Sequence, residues 1–279
     1  MKTVYFDTNV WDFIGKGNIS ESVKSNLRAG EKVIICCSPL VIQQLLNTYN
    51  SDIKLARQLV YTALELSQRM FLEHSALMQG EILAYSQGKV FSDYFFDSKI
   101  FIELFRGAEN IEDYDAELIN IIARELDKGV QNKDGFKKIK EQWINNYSVI
   151  PKGKSFQEFW NDVKSNPVTT GTVKEICEEL GILNNDPIDY KENCNCLHLY
   201  NLLMASRIYY HNYLMNGGIN KDIYNDIKHH IYGRFCNYMV TRDEDMLEIY
   251  NNYIVHISLR YKIPIMLHWS EFEKNILGT

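Results

Sequence analysis

The chain has 279 residues, of which 46% are hydrophobic and 13% aromatic. This composition supports a substantial core and excludes intrinsic disorder as the general state. The formal net charge of −6 excludes a globally basic nucleic-acid coat protein, so any phosphate-binding surface must be local. No apolar run approaches the roughly 20 residues that span a bilayer, and Asp7 interrupts what would be a signal-peptide core. We therefore expect a cytoplasmic protein with no membrane partner, and its six cysteines fit a reducing compartment.

The first fifty residues alternate between strand and helix signals. Residues 2–6 are β-branched and aromatic, and they predict a strand that stops at Asp7. Residues 10–29 predict one helix or two short ones, broken around Gly15-Lys16-Gly17. Residues 32–37 form an apolar run typical of a strand buried on both faces. Ser38-Pro39 then predicts a helix start, so we expect parallel pairing of the two strands.

The alternation stops at about residue 52 and returns late in the chain. Residues 51–195 show helical spacing or composition, and we predict that they form a large all-helical insertion. A long helix over 196–215 and a second over about 221–234 precede strands at 236–241 and 263–267. The predicted fold is therefore α/β, with a mostly parallel central sheet formed by residues 1–50 and 196–279.

Acidic residues follow two of the predicted strands. Asp7-Thr8-Asn9 comes after the first strand, and Asp243 and Asp245 come after the strand at 236–241. Either group could simply cap the next helix. Because the carboxyl ends of parallel strands meet at one edge of a sheet, two such groups favour a joint site. Clustered carboxylates repel one another, and Mg²⁺ or Mn²⁺ is the usual compensation for oxygen ligands.

Four segments in this order carry a resemblance to a known family: VYFDTNV, SPLVIQQLL, the helix that contains Asp226, and MVTRDEDM. Together they resemble the PIN-domain family of metal-dependent ribonucleases, which includes the bacterial VapC-type toxins. The resemblance covers about half of the chain and does not explain residues 51–195. It implies a three-layer α/β fold and hydrolysis of RNA phosphodiesters by one or two metal ions, in a toxin or defence ribonuclease.

The resemblance also assigns site residues. The metal ligands and catalytic acids would be Asp7, Asp226 and Asp243, with Asp245 as an auxiliary carboxylate and Asn9 and Thr241 as polar supports. The family has a glutamate on the helix after the second strand, where this chain has Gln44, which carries no charge. Two hypotheses stay open. Another acidic residue, Glu65, Glu73 or Glu81, takes the place of the missing glutamate, or the chain is a weakened PIN-like scaffold that binds RNA or a protein.

The helix around Asp226 offers further candidates. Asp222 lies one turn earlier and is the alternative carboxylate. His229 and His230 follow Asp226 by three and four residues, so one of them shares its face. That histidine could touch a phosphate or a metal, or both could be packed interfacial residues. Three basic residues are predicted to give local positive charge for nucleic acid, with solvated surface charge as the alternative: Lys228, Arg234 and Arg242.

Two stretches of the insertion suggest partners. Residues 128–154 interleave lysines with aromatic residues, a composition that suits single-stranded RNA. The same composition also fits core aromatics and solubilising lysines. Residues 103–125 are acidic and would suit an inhibitory or partner protein.

Overall fold

The structure of the chain is a computed structural model. It describes six continuous stretches and a few isolated residues. These are 1–48, 51–95, 153–164, 187–210, 223–257 and 261–278, with 174, 177, 178, 180–182 and 259. The suggested partner-binding stretch at 103–125, and that at 128–154 except for its last two residues, lie outside the described residues.

Helices and strands alternate over most of these stretches. Two π-helical turns at Tyr250–Ile254 and Glu273–Leu277 extend the last two helices. The strands are β1 Lys2–Phe6, β2 Val33–Cys37, β3 Arg69–Met70, β4 Tyr238–Thr241 and β5 Ile265–His268. The helices are α1 Thr8–Gly15, α2 Glu21–Ala29, α3 Pro39–Thr48, α4 Ile53–Leu66, α5 His74–Ser86, α6 Phe156–Val163, α7 Pro187–Asn193, α8 Asn195–Ile208, α9 Ile223–Gly233, α10 Glu244–Ile249 and α11 Trp269–Phe272.

The five strands form one parallel sheet in the order β3-β2-β1-β4-β5. This confirms the predicted α/β class and its parallel sheet. Strand β1 lies in the centre, where Tyr5 pairs with Cys36 of β2 on one side and Met239 of β4 on the other. The first and the fourth strand are therefore neighbours, although most of the chain separates them.

Helices cover both faces of the sheet. Tyr5 and Phe6 are consecutive and point to opposite faces, yet both are fully buried. The Tyr5 ring stacks on Tyr232 of α9 at 5.8 Å. The Phe6 ring meets Trp11 of α1 edge-on at 5.2 Å and Phe272 of α11 at 5.4 Å. Burial on both sides is why the strand sequences are almost continuously apolar.

The predicted break after Gly15 and the predicted start at Pro39 are confirmed, although α1 begins at Thr8, two residues earlier than expected. Helix α1 ends at Gly15, and α2 ends before Gly30, whose φ of 64° places it in the left-handed region. Helix α3 begins at Pro39, and Oγ of Ser38 accepts the backbone N–H of Val41 at 3.4 Å. Proline has no N–H to lose at the first helical position, which explains this start.

The prediction that residues 51–195 are helical throughout is wrong at residues 69–70. These two residues form β3, which pairs with β2 at Cys36 and Cys37 on one edge of the sheet. A strand of two residues has no periodicity that a sequence pattern could reveal. Leu59 of α4 and Phe159 of α6 are fully buried in the same hydrophobic core as the sheet. Helices α4 and α6 therefore share one core with the two ends of the chain, whereas Ile82 of α5 and Tyr190 of α7 belong to a second, smaller cluster.

The structure also describes possible membrane-spanning helices and the state of the cysteines. Among the described residues, no helix is long and apolar enough to cross a membrane. All six cysteines are free and buried. Cys36 and Cys37 are fully buried in β2, as predicted for small apolar side chains. Cys194 and Cys196 stand at the start of α8 as reduced thiols, also as predicted.

Candidate functional site

The carboxyl ends of β1 and β4 are joined through the hydroxyl of Thr241. Thr241 is the last residue of β4 and is fully buried. Its Oγ1 donates to Oδ2 of Asp7, which directly follows β1. Oγ1 of Thr241 also accepts the backbone N–H of Asp243 at 2.9 Å. The parallel pairing of β1 with β4 thus brings Asp7 and Asp243 to one hydroxyl. These three residues form what we call the acidic edge.

Asn9 ties the loops after the two strands together. Its Oδ1 accepts the backbone N–H of Arg242 at 2.8 Å, and its Nδ2 donates to Oγ1 of Thr241 at 3.4 Å. Asn9 and Thr241 therefore fix the backbone on which Asp7 and Asp243 stand.

Both acids of the acidic edge also cap helices. Oδ1 of Asp7 accepts the backbone N–H of Val10 at 3.2 Å in α1. Oδ1 of Asp243 accepts that of Met246 at 2.9 Å in α10. The capping role that the sequence left open is thus present, and it uses one oxygen of each carboxylate.

The environment of Asp7 disfavours its charge. Burial raises the pKa of Asp7 to about 7, although the hydrogen bonds from Thr241 and Val10 oppose the rise. The carboxylates of Asp243 and Asp226 push the pKa further up. Asp7 is therefore about half protonated near neutral pH, and the acidic edge is a point where negative charge is concentrated.

Asp226 lies in the first turn of α9 and faces a cation of the chain itself. Its Oδ2 is 3.4 Å from Nη2 of Arg207 in α8. The Arg207 side chain is 3% exposed, against 21% for Asp226. The contact is an ion pair without hydrogen-bond geometry, since Nε and Nη2 of Arg207 have no hydrogen-bond partner. The charge of Asp226 is thus already compensated within the fold.

The acidic edge offers oxygen donors for a metal, but not a complete set. Among the described residues, no three His, Cys, Asp or Glu side chains are close enough to share an ion. Asp226 raises the pKa of Asp7, although Asp226 itself is paired with Arg207. Carboxylate oxygens suit hard dications, which keep several water ligands. Asp7 and Asp243 are therefore the two side chains of the acidic edge that could hold such an ion, while Asp226 is paired with Arg207.

Gln44 takes part in a hydrogen-bonded chain beside the acidic edge. Its Oε1 accepts the hydroxyl of Thr8 and lies 2.7 Å from Nε2 of His229. Nδ1 of His229 is 2.7 Å from the hydroxyl of Tyr5, which is 2.8 Å from Oγ of Ser38. The amide of Gln44 is therefore bound to a histidine of α9.

The protonation of this chain follows from its acceptor. Because Oε1 of Gln44 can only accept, Nε2 of His229 carries the ring proton, and Nδ1 accepts from Tyr5. Burial lowers the pKa of His229 to about 3, and the charge of Lys228 acts in the same direction. His229 is thus neutral at physiological pH and serves as a link between α3, β1 and α9.

His230 is a packed residue as well. Its ring stacks on Tyr250 at 5.4 Å with an angle of 4°. Burial lowers its pKa well below the usual value, and Arg207 and His229 add to the effect. Of the two interpretations of the histidine pair, the structure favours interfacial packing.

The three predicted basic residues have different positions. Arg242 is exposed beside the acidic edge, and its guanidinium lies 4.0 Å from the centre of the Phe13 ring. Lys228 is half-buried on α9 next to His229. Arg234 precedes β4 and therefore lies at the opposite edge of the sheet, where Glu81 pairs with it at 2.9 Å. Its predicted role at a phosphate-binding surface is not supported, because its charge is already used there.

The remaining acidic candidates are dispersed. Asp245 is exposed in the first turn of α10, two residues after Asp243, whereas Asp222 is outside the described stretches. Glu65 pairs with Arg28 at 2.5 Å, and Glu81 pairs with Arg234. Glu73 follows β3, two strands from β1, and accepts the hydroxyl of Ser75 at 2.8 Å. None of these three glutamates occupies the Gln44 position.

Two features of this region were missed in the sequence. Arg207 is the single charged residue in the otherwise uncharged run LHLYNLLMASRIYY, and an isolated charge in a buried helix is a usable signal for a buried pair. The link from Ser38 through Tyr5 to His229 has no such signal, since it joins three separate elements.

Comparisons with known proteins give no relatives: no protein-family model, no curated protein and no solved structure matches the chain. The chemistry of the acidic edge therefore has to follow from its own residues.

Proposed function

We propose that this chain is a metal-dependent ribonuclease of the PIN-like type, which hydrolyses RNA phosphodiester bonds at the acidic edge in a toxin or defence role. The observation that carries the proposal is geometric: Asp7 and the backbone N–H of Asp243 meet at Oγ1 of Thr241, where β1 pairs with β4. Carboxylates concentrated in this way at the carboxyl ends of adjacent parallel strands favour a dication.

The residues divide the task between them. Asp7 and Asp243 would hold Mg²⁺ or Mn²⁺, which supplies an activated water and stabilises the leaving oxygen when bound. Thr241 and Asn9 keep the two carboxylates in place through the contacts described above. Arg242 is exposed beside them and attracts the phosphate backbone. No nucleophilic side chain is required.

A second candidate is a PIN-like scaffold that binds RNA or a protein partner without strong catalysis. Two contacts favour it. Asp226 is paired with Arg207, and Gln44 stands without charge against His229. Two of the four acidic positions that the resemblance implies are thus compensated or neutral, which weakens the attraction for a metal.

The test is cleavage of single-stranded RNA with Mn²⁺ or Mg²⁺, with chelator as the blank. We expect activity in the wild-type protein and its loss in Asp7→Asn and Asp243→Asn, because each change removes a charged ligand while keeping the shape. Asp12→Asn is the matched control, since Asp12 lies on α1 in a surface pair with Lys16. Calorimetric titration with Mn²⁺ should show binding that Asp7→Asn weakens.

Three outcomes contradict the ribonuclease or its placement at the acidic edge. A folded wild-type protein that binds no Mn²⁺ at millimolar concentration and cleaves nothing favours the scaffold. Equal metal binding by the wild type and Asp7→Asn places the metal elsewhere. Loss of activity in Asp12→Asn would show that the losses do not report on the acidic edge.

A further inference from the structure

The loop after β4 carries an arginine that lies on an aromatic ring. Arg242 stands between Thr241 and Asp243, and its backbone N–H donates to Oδ1 of Asn9 at 2.8 Å. Its guanidinium carbon is 4.0 Å from the centre of the Phe13 ring of α1. This distance is well within the roughly 6 Å at which a cation interacts with an aromatic face. Arg242 is therefore held at both ends, at its backbone by Asn9 and at its guanidinium by Phe13.

The core fixes Phe13 from behind. The Phe13 ring lies 6.1 Å from that of Trp269 in α11, at an angle of 57°. Trp269 is buried and packs edge-on against Phe6 of β1 at 5.8 Å. Phe13 itself is half-buried, so its ring connects the core to the surface beside the acidic edge. We call the pair of Phe13 and Arg242 the surface stack.

The guanidinium of Arg242 keeps its hydrogen-bond donors for a ligand. Within the described part of the chain it forms no hydrogen bond or ion pair, and its contact with Phe13 is made to the face of the ring. Arg234 differs in this respect. It also lies on a ring, that of Phe235 at 4.7 Å, but its side chain is 11% exposed and its N–H groups bind Glu81. Arg242 is exposed, so its guanidinium can meet a molecule from solution.

A planar cation that is supported on a ring suits an unpaired base. A guanidinium stacks on flat rings through its faces and donates hydrogen bonds in its plane, whereas an ammonium group has no such face. Bases of single-stranded RNA stack on arginine in this way, whereas the bases of a duplex already stack on one another. The in-plane N–H groups can meanwhile bind a phosphate of the same strand. A compact anion would use the charge of the guanidinium and leave its face without a partner.

We propose that the surface stack binds an unpaired base of single-stranded RNA beside the acidic edge, with the base on the outer face of the Arg242 guanidinium. Because Arg242 lies between Thr241 and Asp243, this base belongs to a nucleotide close to the phosphate at the acidic edge. The choice of RNA rests on the proposed function, whereas binding by the surface stack needs no metal. Purines should bind more tightly than pyrimidines, because their larger rings stack more strongly.

The first experiment measures the binding of short labelled oligoadenylate and oligouridylate to the full chain by fluorescence anisotropy, with chelator to prevent cleavage. We expect the wild type to bind oligoadenylate more tightly than oligouridylate. Arg242→Lys should bind oligoadenylate about fivefold more weakly, because it keeps the charge and removes the planar group. Arg28→Lys is the matched control and should bind as the wild type does. Arg28 lies near the end of α2, before β2, and therefore at the opposite edge of the sheet.

A second variant acts on the ring. Phe13→Leu removes the support of the guanidinium and leaves the charge of Arg242 in place. It should weaken oligoadenylate binding, and the double variant with Arg242→Lys should bind little more weakly than either single one, because both changes remove the same stack. Should Phe13→Leu not fold, Arg242→Lys alone decides, since Arg242 is exposed.

Two results with single strands overturn the proposal. One is equal binding of oligoadenylate by the wild type and Arg242→Lys. If Arg242→Gln then binds more weakly, the charge alone accounts for the contact. The other is a wild-type protein that binds neither oligonucleotide at millimolar concentration.

A fully paired RNA duplex tests the need for an unpaired base. The wild type should bind it more weakly than oligoadenylate, and Arg242→Lys should narrow this difference. Equal binding of the duplex and of oligoadenylate by the wild type overturns the proposal.

The result can be separated from that of metal-dependent cleavage. A wild-type protein that binds oligoadenylate through the surface stack but cleaves no RNA with Mn²⁺ supports this inference and favours the scaffold. Cleavage and binding that Arg242→Lys both leaves unchanged overturn the inference, while the ribonuclease stands.

Discussion

Protonation of Asp7 couples the acidic edge to the stability of the fold. The pKa of this carboxyl is about 7 in the native state, against 3.8 for the ordinary group. Between these two values the native state binds more protons than the unfolded state. Stability is therefore highest at low pH for this group and falls as the pH rises from about 4 to 7.

Asp7→Asn removes this dependence. We expect the variant to gain stability relative to the wild type as the pH increases, by about 3 kcal/mol between pH 5 and pH 8 in the presence of chelator. Urea unfolding at several pH values measures the difference. Added Mn²⁺ should then stabilise the wild type but not Asp7→Asn. A difference that stays constant with pH would mean that the native carboxyl titrates normally.

Gln44→Glu should change the protonation of His229. The new carboxylate would accept from the hydroxyl of Thr8 and from Nε2 of His229, so it would favour a charged imidazole. We expect the pKa of His229 to rise from about 3 towards its ordinary 6.5. The wild-type protein loses stability as the pH falls from 6.5 to 3, because only the unfolded histidine takes up a proton. In Gln44→Glu this loss should shrink.

NMR titration of the imidazole signals measures the pKa of His229, and urea unfolding at several pH values measures the loss of stability. Gln43→Glu is the matched control, because it places the same charge one residue away on α3 and leaves Gln44 in contact with His229. Identical titration curves for His229 in the wild type and Gln44→Glu would contradict the hydrogen-bonded chain through Oε1 of Gln44.

At the scale of elements, the ion pair of Glu81 and Arg234 connects helices α5, α8 and α9. Glu81 of α5 accepts from Arg234, which follows α9, and from the backbone N–H of Cys196 in α8 at 2.6 Å. Both charged side chains are 11% exposed. Each therefore depends on the other for compensation, since water reaches neither of them well.

Glu81→Gln should consequently destabilise the protein by about 3 kcal/mol, because it leaves Arg234 charged and poorly solvated. Glu65→Gln is the matched control: it breaks a more exposed pair, with Arg28 48% exposed, and should cost less than about 1 kcal/mol. Urea unfolding of the three proteins provides the comparison. Equal midpoints for both variants would show that the Glu81 pair contributes no more than a surface pair.

The elements that could be predicted from sequence are those with a local signal. Apolar runs marked β1, β2 and β4, and Ser38-Pro39 marked the start of α3. The meeting of Asp7 and Asp243 at one edge follows from parallel pairing alone. The pairing of Arg207 with Asp226 does not, because it depends on the phases of two helices. Strand β3 carries too few residues for any pattern.

At the scale of the whole molecule, the described part of residues 51–195 supplies part of the core that packs against the sheet. Leu59 of α4 is fully buried, and its side chain contacts Gly15 at the end of α1. Phe156 of α6 packs edge-on against Tyr209 at 5.4 Å. Helices on both faces are needed to cover a sheet of this kind.

A chain in which a flexible linker replaces residues 51–195 should therefore fail to fold. We expect it to lack a cooperative thermal transition, because the faces that α4 and α6 cover would be exposed to water. Circular dichroism against temperature, with the full chain as reference, tests this. Cooperative unfolding of the shortened chain would show instead that residues 1–50 and 196–279 form an independent domain.

The central position of β1 also sets an order of events during synthesis. Asp7 and Thr241 are 234 positions apart, yet they share a hydrogen bond. Ribosomes add roughly 5–20 residues per second, so on the order of 10–50 s separates the two residues during translation. Strand β2 can pair with β1 early in synthesis. The other side of β1 has no partner strand until β4 has left the ribosome. A growing chain therefore lacks the acidic edge until Asp243 has been made, so no chemistry at that edge can begin before this point of synthesis.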